Sequence, residues 1–228
     1  MNYKDSFIEF MAKSGVLTFG EFVTKSGRHS PYFINTGNYR TGGQIAALGG
    51  FYADCIEANM ESGNISRDVT VLFGPAYKGI PLAVSAAAAL AGRGADINYC
   101  FNRKEAKDHG EGGGMVGYNP ASGDKVLIIE DVITAGTAVR ECLPLFNRIG
   151  GVKIEALIVS VDRMEKGAGD RTAIDELFED YGIRTCPIVT VSDIMSRLHN
   201  RPVDGVVYID DLMKQKMETY MREYCAAP

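Results

Sequence analysis

Residues Lys125 to Arg140 constrain the fold of this chain more than any other stretch. After Lys125 come four consecutive apolar residues, Val126-Leu127-Ile128-Ile129, three of them β-branched, and such a run reads as a strand buried on both faces. Glu130 and Asp131 close the run, where the strand is expected to leave the sheet. Thr134-Ala135-Gly136-Thr137 follows, small and hydroxyl-bearing, and leads into a segment able to form a helix. In an open α/β sheet, ligands bind outside the carboxyl ends of the strands. A helix that starts there offers unpaired N–H groups and a positive dipole end, which suits a phosphate. Thr134 and Thr137 add hydroxyl groups, and Gly136 lets the backbone approach closely. The two carboxylates are expected to face hydroxyl groups, because a phosphate beside them would be repelled. A phosphate on one side and a vicinal diol on the other describe a ribose 5-phosphate.

The rest of the chain alternates strand-like and helix-like runs. Val69 to Phe73, Ile97 to Phe101, Val152 to Val161 and Ile183 to Val191 read as further strands, the last with Pro187 near an edge. Between them, Thr41 to Met60, Ile80 to Leu90 and Thr172 to Tyr181 carry apolar residues at helical spacing. That alternation implies an α/β fold with a doubly wound, mainly parallel sheet. Ahead of it, a short helix (Asp5 to Ser14) and two strand-like runs (Thr18 to Thr24, Pro31 to Asn35) form an N-terminal hood, largely residues 1–40. The core is expected over about 41–190, and a polar, helical tail over 192–228, all as one domain.

Composition narrows the setting. The charged fraction is 23% and the net charge −5, so no global basic field draws in nucleic acid or an anionic membrane. The longest apolar run, Ile80 to Ala91, contains Pro81 and Ser85 and is too short to span a bilayer. The first residues carry no signal-peptide pattern, and the five cysteines are odd in number, scattered and without a C-x-x-C pair. Buried free thiols in a reducing compartment follow, hence a cytoplasmic protein without a zinc site.

Glu130 to Ala138 resembles the phosphoribosyl-pyrophosphate (PRPP) motif of the type I phosphoribosyltransferases: a hydrophobic strand, two acids, a small-residue phosphate loop. The resemblance implies PRPP contacts from Glu130 and Asp131 and from the loop Val132, Ile133, Thr134, Ala135, Gly136, Thr137 and Ala138. The turn Gly74-Pro75-Ala76-Tyr77-Lys78-Gly79 stands where the family grips pyrophosphate, which brings in Tyr77 and Lys78. Two other segments are similar to the orotate branch of the family. One, KSGRHSPYF from Lys25 to Phe33, matches a hood over the nucleobase. It makes Lys25 a contact of both ligands and the backbone at Phe33 and Ile34, with Thr134, contacts of orotate. The other, RKEAKDHGEGG from Arg103, matches a catalytic loop, with Arg103, Lys104, Lys107 and His109 on the polyphosphate. Four glycines within Gly110 to Gly114 suit a lid that opens and closes.

Arg163 lies just past the Val152–Val161 strand. A planar guanidinium is the natural bidentate partner of the orotate carboxylate, although a salt bridge to Asp162 or Glu165 would also explain it. The resemblance implies transfer of ribose 5-phosphate from PRPP to orotate, giving orotidine 5′-monophosphate and pyrophosphate in pyrimidine (UMP) biosynthesis. Lys104, Lys107, His109 and Asp131 are then the catalytic candidates. It also implies Mg2+ held by PRPP, with Glu130 and Asp131 reaching it through water at most, and a homodimer whose lids serve the partner's active site. Glu130-Asp131 stands where Asp-Asp is commoner, and Ile34 where a second aromatic is common. The alternatives are another base specificity, or a non-catalytic PRPP-sensing regulator, which would carry a nucleic-acid module and a basic surface.

Overall fold

The computed structural model describes residues 2–24, 27–104, 114–133, 136–167 and 169–226. Six strands form one sheet: β3 (Val71–Gly74), β4 (Asn98–Asn102), β5 (Met115–Gly117), β6 (Lys125–Ile133), β7 (Lys153–Asp162) and β8 (Arg184–Thr190). Their spatial order is β5-β4-β3-β6-β7-β8, parallel except for the antiparallel edge strand β5. The other edge is β8, which accommodates Pro187. Alternate residues of β6 enter different cores. Leu127 and Ile129 pack with the face covered by α1 (Tyr3–Lys13), α2 (Gly42–Glu61), α3 (Gly79–Ala91) and α6 (Val191–Leu198). Val126 and Ile128 pack with Phe146 of α4 (Thr137–Ile149) and Leu177 of α5 (Ala173–Tyr181). The doubly wound reading therefore holds, because a strand buried on both faces needs a helical layer on each.

The chain goes outward from β3 to β4 and returns past β3 to β6, so the strand order switches between β3 and β6. The crevice at the carboxyl ends of those two strands is where this topology leaves room for a ligand. Here one expectation needs correcting. Glu130 and Asp131 do not end the strand: β6 runs on to Ile133, with Glu130, Val132 and Ile133 in register against β7. The β-branched pair Val132-Ile133 and the ten-residue β7 sustain the ladder. On the β3 side pairing stops at Ile128, so the acids leave the sheet on one edge only.

The hood is an antiparallel pair, β1 (Leu17–Val23) and β2 (His29–Ile34). The tail is more than a polar appendage. Its helix α7 (Asp211–Tyr224) buries Met217 and Tyr220 and sets Tyr220 edge-on to Tyr32 of β2 at 5.9 Å. Beyond it the backbone clasps the exit of β7: Lys166 N donates to Tyr224 O (2.8 Å) and Ala226 N to Met164 O (3.0 Å). All five cysteines are free and buried, and burial pushes the thiols of Cys55, Cys100 and Cys142 up to about 12. No helix among the described residues is long and apolar enough to cross a membrane.

Candidate active site

A cavity of about 470 Å³ opens at the carboxyl ends of β6 and β7, with Lys78 on one side and Phe33, Ile34 and Arg163 on the other. Glu130, Asp131, Val132, Ile133, Gly136, Thr137 and Ala138 line it from the β6–α4 connection. The β6 backbone at the acids is held from outside the loop. Tyr52 OH donates to Glu130 O (2.6 Å) and Ser160 Oγ to Asp131 O (2.5 Å). With the main chain fixed, the Asp131 side chain is aimed: its Oδ2 accepts from Lys78 Nζ (2.7 Å) and Thr36 Oγ1 (2.8 Å). Among the described residues Glu130 has no cation as close. Burial, and then the neighbouring Asp131 charge, raise its carboxyl from 4.5 to about 7.

The turn after β3 is closed by its glycines. A Cβ on Gly74 would lie 2.2 Å from Gly79 O, and one on Gly79 would lie 2.7 Å from Pro75 Cδ. Only two hydrogens at those positions let β3 pass directly into α3 and set Lys78 at the helix start. The Ala76–Tyr77 peptide in this turn is cis, and Ala76 N donates to Asn102 Oδ1 at 2.8 Å. At the other side of the switch point Gly136 takes φ +66° as the N-cap of α4. Its conformation, as much as room for a phosphate, demands glycine there; a Cβ would stand 3.4 Å from the Leu177 side chain.

Helix capping separates these two helices from the rest. Among the described residues, α1, α2, α5, α6 and α7 each have an N-cap side chain accepting from their first turn: Asn2, Thr41, Thr172, Thr190 and Asp210. Helices α3 and α4 have none, and both begin at the switch point. Their first-turn N–H groups are not spent on a side-chain cap. In α3 the first N–H groups are spent on the preceding turn, Gly79 N donating to Pro75 O (3.0 Å) and Ile80 N to Tyr77 O (3.3 Å), so α4 provides the anion-seeking helix end at the cavity that holds two carboxylates.

Arg163 reaches the cavity, but not as a free cation. It is buried, with Nε donating to Glu165 Oε1 (2.7 Å) and Nη2 to the same oxygen at 2.5 Å. Nη2 also lies 3.4 Å from both Ser30 Oγ and Tyr220 OH, and the guanidinium sits 4.5 Å above the Tyr32 ring. The salt bridge to Glu165 is therefore present, on a residue that also lines the cavity. Arg103 and Lys104 do not line this cavity. They flank an adjoining recess of about 350 Å³ with Pro75, Ala76 and Asn102, and Lys104 Nζ stands 5.2 Å from the centre of the exposed Tyr77 ring. Lys25, Lys107, His109, Thr134 and Ala135 lie outside the described residues. Sequence reasoning missed Thr36, Tyr52, Ser160 and Tyr220, and named Glu165 only as an alternative partner of Arg163. Glu165 left a signal as the acid two residues from Arg163, and the others left none.

The profile of the phosphoribosyl transferase domain family matches residues 43–188, a span that includes β3, β6, β7 and both uncapped helices. The chain belongs to that family. Within it, the chain is 49% identical over 225 residues to an orotate phosphoribosyltransferase of Clostridium botulinum, with 98% of each chain covered. It is 50% identical over 223 residues to the orotate phosphoribosyltransferase of Clostridium acetobutylicum, covering 97% of each. The crystal structure of the Francisella tularensis orotate phosphoribosyltransferase superposes with a TM-score of 0.80 at 37% identity, over 97% of this chain and 100% of that one. These matches run through the hood and the tail, and with them the chain falls among the orotate phosphoribosyltransferases.

Proposed function

We propose that the cavity at the β3/β6 switch point transfers ribose 5-phosphate from PRPP to orotate, releasing pyrophosphate and forming orotidine 5′-monophosphate. The observation that carries this reading is the pairing of two carboxylates on β6 with the uncapped N-terminus of α4 and with Lys78. The α4 end, with Gly136, Thr137 and Ala138, takes the 5-phosphate. Glu130 and Asp131 take the ribose hydroxyls. The turn at Tyr77 and Lys78 takes the pyrophosphate. Orotate lies between the backbone of Phe33 and Ile34 and the guanidinium of Arg163. On the segments outside the described residues, Lys25 would touch both ligands, Thr134 and Ala135 would complete the phosphate loop, and Lys107 and His109 would approach the leaving group.

As the anomeric C–O bond breaks, positive charge grows on the ribose and negative charge on pyrophosphate. Carboxylates beneath the sugar stabilise the first, and Lys78 and Lys104 the second. Mg2+ is a hard cation that favours carboxylate and phosphate oxygens. Glu130 and Asp131 fit it as a pair reaching through water, while PRPP phosphates would hold it directly and the ion would neutralise the leaving group. Arg103 and Lys104 lie outside the 470 Å³ cavity of their own chain, which supports a homodimer whose lids act in trans. The buried free thiols support a cytoplasmic setting.

The test is consumption of orotate absorbance with PRPP and Mg2+, with uracil, adenine and hypoxanthine as controls. Turnover of orotate alone is expected. Turnover of another base in its place, or PRPP binding without turnover, would overturn the assignment.

A further inference from the structure

The buried cluster around Arg163 contains more than its ion pair. Of the three guanidinium nitrogens, Nε and Nη2 are occupied by Glu165, Ser30 and Tyr220, whereas Nη1 has no hydrogen-bond partner among the described residues. The edge that Glu165 holds is thus fixed, and Nη1 is the donor left over on a residue that lines the cavity. Glu165 is itself held. Tyr220 OH donates to the same Oε1 that receives Arg163 (2.6 Å), and Arg28 Nη1 approaches Oε2 at 3.5 Å. Tyr220 belongs to α7, more than fifty residues later in the chain, and its ring packs edge-on to Tyr32, the ring beneath the guanidinium. Cys225 Sγ, one residue past α7, donates to Arg163 O at 3.5 Å. The C-terminal helix therefore touches Arg163 at its backbone, at its ring platform and at the carboxylate that orients its fork.

We infer that Tyr220 is a positioning residue for base recognition: from the C-terminal helix it fixes Glu165, and through Glu165 it sets which donor of Arg163 meets the substrate's carboxylate. The inference rests on the reading of Arg163 as the partner of orotate. A guanidinium recognises a carboxylate through a planar fork, so its rotation about the long side chain decides how many of its donors reach the ligand. A tail distant in sequence thereby selects a base that carries a carboxylate.

Tyr220→Phe removes the hydroxyl and keeps the ring against Tyr32. Its KM for orotate is expected to rise about tenfold, the scale of one hydrogen bond to a charged group. The KM for PRPP, kcat and the thermal midpoint should stay within about twofold and a few degrees of the parent. A purely structural role would instead lower the midpoint and move both substrates together, and that result would overturn the proposal. So would an unchanged orotate KM. Arg163→Lys keeps a cation opposite Glu165 but lacks the fork. In that background Tyr220→Phe should add less than about twofold, and a full tenfold addition would mean that Tyr220 acts elsewhere. If Arg163→Lys alone leaves the orotate KM unchanged, the reading of Arg163 fails, a result visible without any change at Tyr220.

Discussion

Two ion pairs flank the same cavity, and they are built differently. Asp131–Lys78 spans 2.7 Å with the carboxylate side chain 11% exposed and the lysine 65% exposed. Arg163–Glu165 spans 2.5 Å with both side chains at 10% or less. In the first pair one partner is already in water, so opening it costs little: the ammonium is rehydrated and the cavity solvates Asp131. In the second, separation would strand a charge in a buried place. The lysine is thus suited to let go of the acid and follow a pyrophosphate. The arginine is suited to stay and to offer a ligand its spare donor. One side of the site is an exchangeable contact, and the other is a fixed template.

The sharpest way to break this contrast is Arg163→Ala. It leaves Glu165 buried with Tyr220 and Arg28 as its remaining donors among the described residues, and a broken buried pair typically costs about 3–5 kcal/mol. Urea unfolding should show a loss of about that size. Affinity for orotate should fall by about 2–4 kcal/mol, and affinity for PRPP should change little. A stability loss below about 1 kcal/mol would mean that Glu165 is well hydrated and that the two pairs are alike.

The contrast also marks what a sequence can carry. The strands and helices were legible because their signals are local: the apolar run at Val126–Ile129, the helical spacing of apolar residues in Thr41–Met60 and Thr172–Tyr181, and the glycines around Pro75. Glu130, Asp131, Lys78 and Gly136 were legible for the same reason, since a phosphate site needs small residues and charge in one short stretch. The partners that aim these groups were not. Thr36 meets Asp131 across 95 residues, Tyr52 meets Glu130 across 78 and Tyr220 meets Glu165 across 55, and no spacing rule links such positions. The length of β6 was misjudged because the pattern of one strand does not reveal how far its neighbour extends.

Lys104 sharpens the comparison from the exchangeable side. It is exposed, close to the Tyr77 ring, and free of any buried partner among the described residues. Such a cation meets the leaving group chiefly as charge develops on it, so Lys104→Ala should lower kcat rather than PRPP affinity. A drop of about 10²-fold, roughly 3 kcal/mol, is expected in single-turnover kinetics, with unfolding free energy unchanged. Mixing this variant with Asp131→Asn chains should restore up to about a quarter of the parent activity if the lid serves the partner subunit, since half of the dimers then hold one intact site. Subunit exchange without recovery would place the lid in its own chain.

Glu130 is the third arrangement, a half-buried carboxylate with no ion pair among the described residues. Its carboxyl lies at about 7 in the folded protein against 4.5 in the unfolded chain. Between those values the folded state holds a proton that the unfolded state has released, so this group's contribution to stability declines as pH rises through that window. Glu130→Gln mimics the protonated acid and should remove the decline. Near pH 4.5 the two proteins should match. By pH 8 the variant should be more stable by about 1–3 kcal/mol while catalysing poorly. A constant difference across that range would mean that Glu130 is as well solvated as an ordinary surface acid.

Lys78→Ala should also have a small effect on stability, and its smallness is the point. Lys78 loses one contact to Asp131 and a 3.3 Å contact to Thr36, while Asp131 keeps the Thr36 hydroxyl at 2.8 Å and an open cavity beside it. Water replaces the ammonium, so unfolding free energy should change by no more than about 1 kcal/mol. The value of kcat/KM for PRPP should nevertheless fall by at least about tenfold, because the helix start at α3 loses the full charge that its dipole only supplements. Salt offers an independent check. Screening acts on the exposed pair and spares the buried one, so raising ionic strength from 0.05 to 1 M should shrink the small stability difference between Lys78→Ala and the parent, with both values as rough brackets for a Debye length falling several-fold. The larger deficit of Arg163→Ala should survive the same titration. If salt erased the Arg163 deficit as well, Arg163–Glu165 would be in contact with bulk water, and the division into an exchangeable and a fixed side would be wrong.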